Sequence, residues 1–537
     1  MKYFLGRVRT AVLLGVGLDL AVAAGSVQAA GPGIPSLTFT AAELFKPLST
    51  FKSPAGTSWG NGTLFRGYLV LGIDVKEDSA GLQFWDISNP RKPVMVSEKN
   101  DGETHRLREI QGYSFSAAYG PDYVVIPSHA GIEIWDFTDI RNLKPVSRLA
   151  MSQGGGAGIY NGIISAFWQP PYIYCGGMNT GIYVVDARDP KALRQVKKIP
   201  NSTVDGKLVG GVFAVGNLLI VTTMQDVASI GAISSFDISD PANPVLLDSY
   251  KGTSLDEGGY TSYLNGNRVW CQGTSGYLQV FDVSDPNDIK HVGPSLDKEE
   301  RGGYGMIQDG FAHAGMSNRY AKYDIRGAQP KEVGAYGVLG DNDWVISLGN
   351  MVFVGDDDGP ESQGALLPHQ AAPDKAGPLV NMAIPKQGAV NQPLSTRVGF
   401  SFTDNVDFAT VAAGSFIVRK AGGTPLPGKY STMAGASIVN FTPDALLSAN
   451  TTYEVLLPAG GIKDLAGNGI PRDTLFLFST GASVALRPGS PGAVVPAASG
   501  PVDPTDIRNL LGRWLDKRHR KPAAVPGVYS RPPSKVP

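Results

Sequence analysis

Cysteine is almost missing from the 537-residue chain: Cys175 and Cys271 are the two it has, which excludes a disulfide-stapled scaffold and a multi-cysteine metal centre. Histidine occurs six times, never in a ligand spacing such as H-x-x-x-H. Net charge is also scarce, with 47 basic against 48 acidic residues, so no global field argues for nucleic acid or an anionic membrane surface. There is no Gly-rich phosphate loop and no nucleophile elbow. Beyond the first thirty residues no apolar run reaches the length of a membrane span. Turn formers are abundant instead, with 67 Gly and 39 Pro, which points to many short strands and leaves little room for long helices.

The N-terminus combines Lys2, Arg7 and Arg9 with an apolar stretch and small residues up to Ala29. Residues 1–29 therefore read as a signal peptide, and the mature chain is expected to be secreted, periplasmic or at the cell surface, with no membrane span. Asp19 interrupts the apolar stretch, so an uncleaved or wrongly placed start is the alternative. No lipid-attachment cysteine lies near this segment. Cys175 and Cys271 occupy equivalent places in two non-adjacent repeats, so they read as two small buried hydrophobes rather than a bridge.

Internal repetition is the strongest signal. The stretch "GLQFWDISNPRKPVMVSE" (81–98) recurs as "GIEIWDFTDIRNLKPVSRLA", "GIYVVDARDPKALRQVKKI", "AISSFDISDPANPVLLDSY", "YLQVFDVSDPNDIKHVGP" and, in weaker form, "RYAKYDIRGAQPKEVGAY". The aligned aspartates Asp86, Asp136, Asp186, Asp237, Asp282 and Asp324 are 50, 50, 51, 45 and 42 residues apart. That period fits propeller blades, and each unit contains four strand-like pieces separated by Gly, Pro or Asn. Six units cover 59–336, and "DNDWVISLGNMVFVGDDDG" and "GALLPHQ" supply three further strands. "KPLSTFK" (46–52) resembles the last strands "KPVMVSE" and "KPVSRLA", so an N-terminal strand is expected to complete a seventh blade and remove the open edge. Six or eight blades are the alternatives.

The residue before each aspartate varies among Trp, Val, Phe and Tyr, and no Gly-His dipeptide occurs, so this is not the Trp-Asp repeat. A carboxylate at a strand end that accepts the next backbone N–H groups, followed by Pro, specifies a tight turn. The six aspartates are therefore structural. The strand-Asp-x-Ser-Asp-Pro pattern resembles the LVIVD repeat family over about 40–370. That resemblance implies a β-propeller of exported or surface type and no single reaction; the sixth unit, "DIRGAQP", departs from it.

From 376 to 481 the period changes to short strands such as "RVGFSFT", "IVNFTP", "TTYEVLLP" and "LFLFSTG", spaced for a β-sandwich. With "GIKDLAGNGI" (461–470) this stretch is similar to the bacterial Ig-like domain of S-layer and other surface proteins, although "SFTDNVD" departs from the usual acidic loop. The expected fold is thus all-β, a seven-bladed propeller followed by an Ig-like sandwich. Asp464 and Asn468 read as holding a tight loop with Gly467 at positive φ, with calcium as the alternative. Residues 482–537 read as a Pro/Gly/Ala-rich linker and tail, in which Ile507, Leu510, Leu511, Trp514 and Leu515 share one face of a short amphipathic helix, read as a frayed helix on a disordered tail with a docking helix as the alternative.

Alternation of antiparallel strands places the blade-to-blade loops and the second-to-third-strand loops on one face, and this face is rich in carboxylates. Its candidate ligand-binding residues are Glu103, His105, Arg106, His129, Asp256, Glu257, Asp356, Asp357 and Asp358. Such a rim suits calcium, a cationic ligand or a partner's basic groups. No cofactor is expected apart from calcium as a candidate, and no catalytic residue is assigned. The leading reading is non-enzymatic binding or adhesion to a protein or carbohydrate at the cell surface, with the Ig-like domain as spacer. A hydrolase or lyase using rim carboxylates and His105 or His129, and a structural envelope component, are the alternatives.

Overall fold

The computed structural model describes residues 31–484 except 54–56, 77–78, 101–113, 117–122, 129, 152–161, 205–207, 225–231, 252–260, 273–277, 294–301, 317–318, 328, 338–343, 357–361 and 434–436. The proposed signal peptide and C-terminal helix lie outside these residues.

Seven antiparallel four-stranded arrays form a propeller. Blade three shows the pattern: Ser165–Gln169, Tyr172–Gly176, Ile182–Asp186 and Arg194–Ile199 pair in chain order. The first strand is innermost and fully buried, while the last is exposed or half-buried up to the buried Ile199. Blade seven is built from Trp344–Leu348, Met351–Gly355 and Gln363–Pro368, and its outer strand is Ser49–Lys52 from the other end of the chain. Ring closure thus joins the two ends of the propeller sequence, as the likeness of "KPLSTFK" to the other outer strands implies.

A β-bulge recurs between the third and fourth strands of five blades, two residues before the repeated aspartate: at Phe84/Trp85, Ile134/Trp135, Val184/Val185, Ser235/Phe236 and Lys322/Tyr323. Each bulge leaves one extra residue on the outer strand and tightens its twist. In the first four of these blades that residue is Val96, Val146, Val196 or Leu247, which packs against the core.

Cys175 and Cys271 are buried free thiols, and burial pushes both well above the ordinary thiol range.

The Ig-like sandwich has one sheet of Val380–Ile384, Val398–Phe402, Ile438–Pro443 and Gly428–Met433 and another of Ile417–Lys420, Thr452–Leu457 and Thr474–Ser479. Phe400, Phe416, Phe441, Tyr453, Phe476 and Phe478 fill the space between them.

Candidate functional site

The repeated turn does more than end a strand. In all six units the aspartate Oδ1 accepts the backbone N–H two residues on, from Ser88, Thr138, Arg188, Ser239, Ser284 and Arg326. In the first five a second Asx turn follows, where Asn89, Asp139, Asp189, Asp240 and Asp285 accept from the residue two further on. The carbonyl of the turn proline then receives a bond from the preceding blade: Ser49 Oγ to Pro90 at 2.6 Å, Ser147 Oγ to Pro190 at 2.5 Å and Tyr174 Oη to Pro241 at 3.1 Å. Ser235 Oγ donates likewise to Pro286. The turn is therefore also an inter-blade connector.

These turns share one face with the first-to-second-strand turns, and the Ig-like domain sits on that face. Ser431–Met433 pairs antiparallel with Ser114–Ser116, the innermost strand of blade two, so one eight-stranded sheet runs from the sandwich into the propeller. An innermost strand offers its free edge to the central channel, so this pairing brings an Ig-like edge strand to the channel mouth. Blades three and four are tied by Asn440: its Oδ1 accepts from Gly216 N at 2.8 Å and Gln169 Nε2 at 3.3 Å, and its Nδ2 donates to Ala214 O at 2.9 Å. Gly216 at φ +56 meets Gly399 so closely that a Cβ on Gly399 would stand 2.1 Å from Gly216 N. Ser437 and Asn381 bind Leu264 O and Asn265 in blade five. Asn405 Nδ2 donates to Ser347 Oγ in blade seven, and Phe408 packs on the Phe65 cluster of blade one. The expected spacer is instead a cap, because Gly216 N, Ala214 O and the Asn440 amide find these partners across the junction.

At blade six the junction gathers carboxylates. Asp309 and Gly310, at φ +48 and +79, form the two-residue turn between Gly302–Gln308 and Phe311–Met316. Asp309 N donates to Thr403 O of the Ig-like loop at 2.9 Å. Asp374 lies between the two modules; its Oδ1 accepts from Ala376 N and its Oδ2 from Gln308 Nε2 at 3.1 Å. Asp404 follows the strand Val398–Phe402, and its Oδ1 accepts from Asn405 N at 2.6 Å. Ligand oxygens of Asp309, Asp374 and Asp404 lie within 4.8 Å of one another. Asp464 borders this group, with both oxygens accepting from Asn468 at 2.8 and 2.9 Å and Gly467 at φ +90, the tight loop read from "DLAGN".

Burial pushes all four carboxyls up, Asp309 to about 7, Asp464 to about 6, Asp374 above its usual value and Asp404 well above it, and repulsion from neighbouring carboxylates reinforces the shift at Asp309, Asp404 and Asp464. The charge of Lys322 opposes the shift at Asp309. Lys322 is itself buried; its Nζ lies 2.9 Å from His369 Nδ1 and 3.9 Å from the centre of the Phe311 ring, and burial lowers it to about 8. His369 Nε2 bonds Gly349 O at 3.0 Å. A neutral ring that donates from Nε2 and accepts from Lys322 satisfies both contacts, and burial holds His369 down at about 3.

Of the rim candidates, only Asp356 is described; it is buried, and its N–H donates to Gln363 O. Glu103, His105, Arg106, His129, Asp256, Glu257, Asp357 and Asp358 lie outside the described residues. Asp309, Asp374 and Asp404 were not singled out by the sequence. Their one signal was "SFTDNVD", where the acidic loop departs from the usual pattern.

Residues 374–480 match the model of the bacterial Ig-like domain. The second module is a bacterial Ig-like domain. No curated protein matches the chain. Solved structures with similar folds include the β-propeller domain of Myceliophteria thermophila Cps50 (Swd1), at 11% identity over 59% of this chain and 98% of that one with a TM-score of 0.44. The computationally designed Ika8 protein is 11% identical over 60% and 99%, with a TM-score of 0.39. The extracellular domain of BT4673 from B. thetaiotaomicron is 10% identical over 83% of this chain and 59% of that one, with a TM-score of 0.41. At such values the seven-bladed architecture rests on this chain's own strand pairing. No helix among the described residues is long and apolar enough to cross a membrane.

Proposed function

We propose that this is an exported, cell-surface, non-enzymatic binding protein that meets a protein or carbohydrate through the loop-bearing face of its propeller. One observation carries the reading: the Ig-like domain covers the face that holds the repeated turns. The opposite face carries the blade-to-blade and second-to-third-strand loops, which the repeat does not constrain and where composition is free to follow a ligand. The bacterial Ig-like domain, a module of surface proteins by the resemblance noted above, and the signal-like N-terminus support the location.

The test is a glycan and protein-binding screen with the full chain, repeated with Glu103, His105, Arg106, Asp256 and Glu257 changed to alanine, together with protease accessibility on intact cells. Saturable binding lost in the variant and digestion at the surface support the proposal. Turnover of a substrate abolished by His105→Ala would establish a hydrolase or lyase instead. Envelope retention without any saturable ligand would leave a structural role.

A further inference from the structure

We propose that Asp309, Asp374 and Asp404 form a calcium site that clasps the Ig-like domain to blade six of the propeller. Their ligand oxygens lie within 4.8 Å of one another, so a point between them lies no more than about 2.8 Å from each. That span accommodates the 2.3–2.6 Å of calcium–oxygen bonds, and a mixed set of carboxylate and amide oxygens suits calcium better than magnesium, which demands near-ideal octahedral geometry.

A second observation points to an ion. Asp404 is only 2% exposed, and its Oδ2 has no hydrogen-bond donor. A buried carboxylate oxygen without a donor is costly unless a cation faces it. Gln308, which donates to Asp374 through Nε2, is 5% exposed and carries an equally unpartnered Oε1 beside the same group. It is a neutral oxygen of the type calcium takes alongside carboxylates. Asp464 borders the group, and Lys322 is a cation whose charge is felt at Asp309.

The three aspartates come from a propeller turn, the connection between modules and an Ig-like loop. The site therefore exists only when the two modules are docked, and ion binding and docking reinforce one another.

The experiment is calorimetric titration of the full-length chain, stripped with EDTA, with calcium chloride and separately magnesium chloride, paired with thermal unfolding in each buffer. One calcium per chain, weaker magnesium binding and an EDTA-reversible rise in unfolding temperature are expected. Asp404→Asn and Asp309→Asn should each weaken calcium binding roughly tenfold or more, while Asp139→Asn in an exposed blade turn leaves it unchanged. In EDTA, Asp404→Asn should unfold no lower than the parent, which separates loss of a ligand from misfolding. If that variant does not fold, Asp374→Asn takes its place in the same comparison. Absence of saturable calcium binding at millimolar concentration, or equal binding by the parent and the Asn variants, overturns the proposal. An Asp404→Asn variant that unfolds above the parent by the same margin with and without calcium also overturns it, since protons rather than an ion would then hold the carboxylates of the parent together.

Discussion

Asp186 shows how one repeated residue acquires a local role. Its Oδ1 accepts the turn N–H of Arg188 like its equivalents, but Arg188 and Arg194 also bring guanidinium groups to the carboxylate. The Arg188 side chain, more than burial opposes it, holds the acid down at about 2. The folded-state value lies below the unfolded value of about 3.9, so the contribution is complete above pH 4 and is lost as pH falls toward 2. Asp186→Asn should therefore lower the unfolding midpoint at pH 6, and the gap to the parent should close by pH 2, as followed by circular dichroism. The turn itself was legible because Asp, Ser and Pro each constrain their own neighbours. The Pro carbonyl's bond to the preceding blade was not, because its donors are Ser on outer or third strands and Tyr174 on a second strand, with no common spacing.

At the scale of the element, the closing strand Ser49–Lys52 is the most exposed to test. Phe51 brings its ring within 5.6, 4.9 and 5.3 Å of Trp59, Trp85 and Phe353, so four residues of strand are anchored by one side chain shared between blades seven and one. Phe51→Ala should cost about 3–5 kcal/mol, and amide exchange should speed up first in Gln363–Pro368, whose edge the strand covers. This strand was readable because "KPLSTFK" repeats the outer-strand pattern. The bulges before five of the six aspartates were not read, since an extra Val or Leu looks like another strand residue until its partner is known.

For the whole molecule, the junction between propeller and Ig-like domain decides which face is free. Asn440 uses both ends of its amide there, accepting from Gly216 N and donating to Ala214 O. Asn440→Asp would set a carboxylate oxygen against the Ala214 carbonyl in a buried place, and each unsatisfied buried group costs about 1–3 kcal/mol. The expected outcome is faster limited proteolysis between residues 370 and 380 with the far-ultraviolet spectrum kept, because each module retains its own core.

The sequence by itself determined the all-β class, the seven blades, the closing strand and the Ig-like module, because these follow from local patterns: alternation, turn chemistry and repetition at a fixed period. Only the tertiary structure decided that the Ig-like sheet continues into blade two and caps the turn face, and that Asp309, Asp374 and Asp404 converge. Docking two finished surfaces depends on backbone edges, single amides and burial contributed by residues far apart in the chain. No periodicity records such pairings, since each is made once.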